Sequence, residues 1–335
     1  DKEVSLDFSV NINPLGMPDG VQDAILNNMS GYETYPDIRY TALREAVAGK
    51  ERVQAERILC GNGASELIMA VVRAEKPYKC AVAAPSFSGY ERAVSAYGAE
   101  TEYYKLDEKN GFGYADACSQ LKDMDIQMCF ICNPNNPTGI TIPQDLLEEI
   151  LETCAMQGIF MVVDECFLDF VKDPEKHTLK EKLAKYPGLF ILKAFTKRYA
   201  IPGVRLGYGF CSDGEVLDRM EAVTQPWNVS TMVQQAGMAA LKEAEYVEAG
   251  RQIIFRESAW MKEKMRQLGL TVYPSEANYI FFYGPEDLFE RCVAKGILIR
   301  DCSNYLGLKK GYYRVAVKLH EQNEKLIEVL EEVLS

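Results

Sequence analysis

Histidine is almost missing from this chain. Its 335 residues include two, His177 and His320. A zinc hydrolase or a Ser-His-Asp hydrolase needs imidazoles that two such distant residues do not supply. Long apolar runs are missing as well, since none reaches the ~18 residues of a membrane-spanning helix. No stretch has the layout of a signal peptide. Positive charge is in deficit: 37 Lys and Arg stand against 49 Asp and Glu, a net charge of −12. That balance excludes nucleic-acid binding by the whole chain, and an anionic ligand would need a local group of arginines. There is no internal repeat, low-complexity tract or long linker. The chain opens on Asp1, which is not a translation start, so an upstream piece is expected.

Cysteine is plentiful, at ten residues, but it does not read as a disulfide framework in a chain this long. Its neighbours are apolar, as in MCFIC and VVDECFLDF, which predicts buried thiols in a reduced, cytoplasmic protein. Cys129 and Cys132 have C-x-x-C spacing. They lie in a strand-like run where residues i and i+3 face opposite sides, and no second Cys/His pair follows. The sequons at Asn28 and Asn228 carry little meaning without secretion.

The middle of the chain alternates β-rich and amphipathic runs. CAVAA (80–84), ETEYYKL, IQMCFIC (126–132), IFMVVDE and GLFILKAF read as strands. FSGYERAVSAYG, ending at Gly98, and PQDLLEEILETCAMQG (143–158) read as helices, the latter with Pro near its start and Gly at its end. A further helix is expected between IFMVVDE and GLFILKAF. This alternation predicts an α/β fold with a mainly parallel sheet covered on both faces. Beyond residue 225 the pattern changes to helices over 229–268, then short strands (TVYPSEANYIFFY, GILIRD, YYRVAV) and helices near 286–295 and 321–334. The expected division is a large domain over 31–245, with 1–30 and 246–335 forming an N-terminal arm plus a small α/β domain. The segment before residue 30 shows little periodicity and is expected to pack on that small domain.

Four stretches at expected strand ends carry chemistry, because ligands of open parallel sheets bind outside the carboxyl ends of strands. CGNGASELIMAVVRA (60–74) has a glycine turn opening a helix near Ser65. Its first N–H groups and the serine hydroxyl could hold a phosphate, or simply cap the helix. CNPNNPTG (132–139) is a rigid polar turn that could offer the Asn136 amide to a ligand oxygen, or serve only as a connection. MVVDECF (161–167) ends an apolar strand on Asp164. A carboxylate backed by a core needs a cationic partner, either a salt bridge or a protonated ring nitrogen. KAFTKRYAIPGVRLGYG (193–209) holds Lys193, Lys197 and Arg205. A partly desolvated lysine is a nucleophile for carbonyls, and arginine suits a phosphate. Taken together, phosphate anchors, a carboxylate, an amide and an amine describe a pyridoxal phosphate site. Phe87, in APSFSGY, could stack on its ring.

On NNPTG (135–139), Asp164-Glu165 and the run from Thr196 through Arg205 to Gly207, the chain resembles fold-type-I pyridoxal 5'-phosphate enzymes of the class I/II aminotransferase group. The resemblance runs from about residue 7 to the end. Within the group, DFSVNINPLGMP (7–18), LKAFTKRYAIPGVRLGY (192–208), QPWNVS (225–230) and IRDCSNYLGLKKGYYRVAV (299–317) are most similar to the threonine-phosphate decarboxylase branch. Histidinol-phosphate aminotransferases are the neighbouring branch.

The resemblance implies roles for particular residues. Lys197 would be the Schiff-base lysine, and Lys193 a scaffold residue. Asp164 would pair with the ring nitrogen, and Asn136 would contact the phenolic oxygen. Gly63, Ala64, Ser65, Thr196 and Arg205 would hold the phosphate. Tyr35 would reach a neighbouring subunit's cofactor, implying a homodimer. Arg314 would clamp a substrate carboxylate. Arg300 is the candidate for a substrate phosphate, and Asn13 completes the substrate set. Two positions depart from the group's pattern. Phe167 replaces the usual tyrosine three residues after the aspartate, which removes a donor to the phenolic oxygen and speaks against ordinary transamination. Ala194 replaces a small hydroxyl residue three before the lysine, so Thr196 is expected to cover that phosphate contact. The expected reaction is loss of CO₂ from L-threonine O-phosphate, with serine phosphate or histidinol-phosphate-type aminotransfer as alternatives. A cofactor-binding sensor without catalysis would tolerate loss of Lys197 and carry a basic DNA-binding segment, which this sequence does not show.

Overall fold

The computed structural model describes residues 4–335. In chain order it begins with β1 (Leu6–Asp7), α1 (Asp19–Asn27), α2 (Thr41–Glu51), β2 (Ile58–Gly61) and α3 (Ala64–Glu75). An alternating stretch follows: β3 (Lys79–Ala84), α4 (Gly89–Tyr97), β4 (Glu100–Lys105), α5 (Ala117–Lys122), β5 (Met128–Cys132), α6 (Gln144–Met156), β6 (Phe160–Asp164) and β7 (Leu189–Ala194). Then come α7 (Phe195–Arg198), β8 (Gly207–Cys211), α8 (Gly214–Ala222), α9 (Thr231–Ala240) and the long α10 (Ala244–Gln267). The chain closes with β9 (Thr271–Val272), β10 (Tyr279–Tyr283), α11 (Leu288–Ala294), β11 (Ile297–Leu298), β12 (Arg300–Asp301), β13 (Tyr312–Ala316) and α12 (His320–Leu334).

Seven strands form one sheet in the order β2-β8-β7-β6-β5-β3-β4. The pairs from β4 through β3, β5 and β6 to β7 are parallel, and β8 runs antiparallel to both of its neighbours. Strands covered on both faces read as unbroken apolar runs. FILKA, MCFIC and MVVD do so, and every residue of β5 and β7 is buried. The helices show one apolar stripe each. In α3 it is Leu67, Ile68, Val71 and Val72, all buried. α4 stops at Gly98, whose φ of +93° is an αL cap that glycine accepts at little cost.

A second, antiparallel sheet has the order β12-β13-β10-β9. β1 pairs separately with β11. Two expectations are corrected. No α-helix lies between β6 and β7. That stretch makes three short 3₁₀ turns, Leu168–Phe170, Pro174–His177 and Lys180–Lys182, with Pro174 and Pro187 interrupting any longer helix. The arm before residue 30 also divides its packing. β1 joins the small domain through β11, whereas α1 packs against α9. α1 buries only Val21.

The register lines up the functional strand ends. Cys132 pairs with Asp164, Asp164 with Leu192, and Ala194 and Gly61 both with Gly207. Loops that are far apart in sequence therefore emerge along one edge of the sheet.

Candidate active site

A cavity of about 620 Å³ opens at that edge, between the large sheet and the small domain. Ala64, Ser65, Phe87, Asn136, Asp164, Thr196, Lys197, Arg205, Arg300 and Arg314 all line it. These residues come from α3, the loops after β3 and β5, the end of β6, α7, the turn before β8, and the paired strands β12 and β13.

The two lysines of 193–209 have different surroundings. Lys193 lies in β7, buried beneath the site, with Nζ 3.5 Å from Glu51 and 3.9 Å from Glu165. Burial alone would lower its pKa, but Glu51, Asp169 and Glu165 outweigh it and hold the ammonium above its ordinary range. It remains a charged scaffold residue. Lys197 faces the cavity, with Nζ 5.8 Å from the centre of the Phe167 ring. Burial, then the nearby Arg314, with a smaller contribution from Arg205, lower its pKa, opposed in part by Cys166 and Asp164. A neutral amine is thus more accessible at Lys197 than on a free lysine.

Asp164 is fixed from two sides. Oδ1 accepts the Cys166 N–H at 2.9 Å, and Oδ2 accepts the Tyr90 hydroxyl at 2.7 Å. Burial pushes the Tyr90 hydroxyl far above its usual range, so it stays a neutral donor. Tyr90 also stacks on Phe130, with ring centres 5.0 Å apart, and meets Phe87 edge-on at 5.4 Å. It therefore links the carboxylate to the aromatic wall. Tyr90 was not singled out from sequence, although its place three residues after Phe87 puts it at a helical spacing from that ring.

Arg205 adopts φ +63°, and its Nη1 donates to the Pro202 carbonyl at 3.2 Å. Gly63 does not itself line the cavity, but it makes room for Arg205. A Cβ there would stand 2.4 Å from Arg205 Nη2, at a φ of +78°. Gly207 serves the same cradle, because its Cβ would lie 2.5 Å from the Ala64 nitrogen. Glycine at both places lets the guanidinium and the first turn of α3 converge. The first N–H groups of a helix have no partner within it, so this corner is built to receive an anion.

The small-domain wall carries the other cations. Arg314 is buried. Its Nη1 donates to Asn136 Oδ1 and its Nη2 to the Ser9 carbonyl at 2.9 Å. With its amide turned so that the oxygen faces Arg314, the orientation that satisfies both groups, Asn11 accepts from Arg314 Nε at 3.1 Å and Nη1 at 3.2 Å. Ser9 and Asn11 also line the cavity, and neither stood out in the sequence because the arm lacks periodicity. Arg300 is looser. Its Nη2 donates to Asn304 at 3.0 Å, and the guanidinium lies 5.5 Å from the Tyr305 ring centre.

One expected substrate residue lies elsewhere. Asn13 does not line the cavity. It is buried behind α7, where Nδ2 donates to the Arg198 carbonyl at 3.1 Å and Oδ1 accepts the Leu15 N–H at 3.1 Å. Its amide is therefore engaged with backbone. Tyr35 is 81% exposed and packs on Trp227, with ring centres 4.8 Å apart. Phe167 lines the cavity and meets Tyr279 edge-on at 5.1 Å. Tyr279 does not replace the missing donor, because its hydroxyl is held by the Asn135 carbonyl at 2.8 Å. Ala194 also lines the cavity, and Thr196 stands beside it.

The model of the family described as Aminotransferase class I and II matches residues 3–330. The chain belongs to that family. It is 39% identical over 334 residues to threonine-phosphate decarboxylase of Salmonella typhimurium, covering 98% of this chain and 91% of that protein. It is 30% identical to histidinol-phosphate aminotransferase of Brevibacillus brevis, covering 97% and 89%. The solved histidinol-phosphate aminotransferase of Clostridium acetobutylicum superposes with a TM-score of 0.91 at 29% identity, covering 98% of this chain and 99% of that one.

The family is pyridoxal-phosphate dependent, and the cavity fits that group. An amine of lowered pKa, a carboxylate held by two donors, an aromatic wall and a glycine-lined anion corner are its four chemical requirements. The ten cysteines are all free and buried. No helix of the described residues is long and apolar enough to cross a membrane.

Proposed function

We propose that the chain is a pyridoxal-phosphate-dependent lyase that decarboxylates L-threonine O-phosphate to 1-aminopropan-2-yl phosphate, a step of cobalamin synthesis. The observation that carries this reading is the pairing of Arg300 with Arg314. They are direct cross-strand partners in β12 and β13, and both line the same cavity. Like charges directly opposite in a sheet are destabilising. Such a pair suits a short ligand with two anionic groups, such as a carboxylate and a phosphate on adjacent carbons. The likeness to the Salmonella decarboxylase supports the same reading.

Lys197 would hold the cofactor's aldehyde carbon, and Asp164 would keep a proton on its ring nitrogen. Ala64, Ser65, Thr196 and Arg205 would take its phosphate, Asn136 its phenolic oxygen and Phe87 its ring face. When bound, the group supplies an electron sink for the bonds at the substrate's Cα. Arg314 would grip the carboxylate and Arg300 the phosphate, fixing rotation about the bond between Cα and nitrogen. Binding energy from the remote phosphate would thereby select the bond to the carboxylate as the one that breaks. Lys197, as its ammonium, would return a proton to Cα afterwards.

A second reading, aminotransfer on histidinol phosphate or a similar phosphorylated amine, is favoured by the apolar residues Phe289, Leu298 and Ile299 on the same wall and by the likeness to two histidinol-phosphate aminotransferases. Serine phosphate lacks one methyl, a difference worth only about 1–3 kcal/mol in a pocket. Arg300→Gln separates the substrate-binding assignments. Losing one charge-assisted contact, about 1.5–3 kcal/mol, should raise KM for threonine phosphate by about 10- to 100-fold. An unchanged KM would remove Arg300 from the phosphate site.

The domain division (31–245 against 1–30 plus 246–335) and a homodimer belong to this proposal. Exposed Tyr35 packs on exposed Trp227, and Leu26, Met29 and Ile38 are exposed as well, apolar surface that would suit a second copy. Ten unpaired thiols suit a reduced cytoplasm.

A further inference from the structure

The helix that carries Lys197 is four residues long. A helix that short has no stability of its own, so its neighbours must fix it. Asn13 does so at the end where the lysine sits. Its backbone N–H donates to the Lys197 carbonyl at 2.9 Å, and its Nδ2 donates to the Arg198 carbonyl at 3.1 Å. Two consecutive carbonyls at the end of α7, which have no donor within the helix, thus both accept from one residue, and the Lys197 carbonyl also takes the Ala200 N–H at 3.3 Å. Asn13 is 1% exposed. Its own Oδ1 accepts the Leu15 N–H, which makes an Asx turn and locks the amide. Gly250 of α10 leaves the space, since a Cβ there would come within 2.4 Å of Asn13 Nδ2.

The same short segment reaches the opposite wall. Ser9 and Asn11 hold Arg314 through their oxygens. Phe8 is tied to the small domain through Leu298, at 2.7 Å, and Ala316, at 2.8 Å. Five residues, 9–13, therefore link the Arg314 guanidinium to the backbone of the helix that carries Lys197.

We propose that Asn13 is a positioning residue for Lys197, its side chain setting the placement of the amine through the Arg198 carbonyl at the end of α7. This rests on the reading of Lys197 as the reactive amine, and the experiment keeps the two apart. Cofactor-free protein is pulse-labelled with acetic anhydride across a pH series, and the labelled fraction of the Lys197 peptide is read by mass spectrometry. In the wild type the midpoint lies below the ordinary lysine value of about 10.4. In Asn13→Ser, which keeps a hydroxyl acceptor for Leu15 but cannot reach Arg198, the midpoint moves up toward that value. In the loaded enzyme kcat falls by about 10- to 100-fold while KM changes little, the mark of a misplaced group. Asn13→Ala should show the same upward shift. Lowered thermal stability with an unmoved Lys197 midpoint in both variants would make Asn13 merely structural and overturn the proposal. If Lys197→Ala still binds the cofactor with its full visible absorbance band, the reading of Lys197 fails instead, whatever Asn13 does.

Discussion

Two buried ionisable side chains with opposite tendencies decide what this site can do. Lys197 is pulled toward neutrality by burial and by Arg314, whereas Lys193 is kept charged by Glu51, Asp169 and Glu165. Lys197→Ala should remove the visible absorbance that pyridoxal phosphate gains on a lysine amine, and should lower turnover by about 10²- to 10⁴-fold, the usual worth of a positioned acid–base group. Lys193→Ala should instead lower stability and leave that band in place, which a spectrum and a melting curve on each variant would show. Beneath them Glu165 is fully buried. Desolvation raises its pKa to about 7, against the lowering influence of Lys193, the Thr178 hydroxyl and Lys180, and with Glu51 raising it further. A carboxyl raised above its unfolded value of 4.5 stabilises the fold fully below pH 4.5, and that contribution is lost as pH rises through about 7. The difference is worth about 3 kcal/mol. Denaturant unfolding of wild type and Glu165→Gln at a series of pH values should show the wild type losing stability relative to the variant across that window. Parallel curves would mean that the carboxyl keeps an ordinary pKa.

At the scale of elements, the cradle depends on backbone approaching backbone. β8 reaches the start of α3 because Gly207 has no side chain, and its Cβ would be 2.5 Å from the Ala64 nitrogen. Gly207→Ala must push β8 and α3 apart at the point where the cofactor phosphate is expected. Cofactor affinity should fall at least about tenfold, with stability lowered by about 1–3 kcal/mol from overpacking. Equilibrium dialysis of the variant checks the first and thermal unfolding the second, and an unaltered affinity would contradict the phosphate corner. Much of this scale was legible in the sequence. Apolar runs at MCFIC, MVVD and FILKA gave the central strands, and the turns after them gave the site. The region 165–188 was misread, because apolar residues at helical spacing on both sides of Pro174 do not reveal whether they form one helix or three turns. Asn13 shows a different failure. Its motif marked it as important, but sequence could not tell an amide facing a ligand from one holding the helix behind the lysine. Tyr90 and Asn11 were missed because hydrogen bonds across 74 residues and across some 300 leave no local pattern.

For the whole molecule, the question is why one chain brings two lobes against one cavity. The large sheet supplies the lysine, the carboxylate and the anion corner, while the small sheet supplies the two arginines. The arm joins them, since β1 pairs with β11 and residues 9–13 link Arg314 to α7. The same architecture serves aminotransferases and decarboxylases, because the choice of bond at Cα depends on orientation rather than on a different set of catalytic groups. Fold and family therefore do not separate the two reactions, and the product does. The most direct measurement is incubation of the loaded enzyme with carboxyl-¹³C threonine phosphate, without any keto acid, following labelled CO₂ and the phosphorylated amine together. The account predicts equal amounts of ¹³CO₂ and 1-aminopropan-2-yl phosphate over many turnovers. Retention of the label, with turnover only when a keto acid is added, would contradict it and make the chain an aminotransferase.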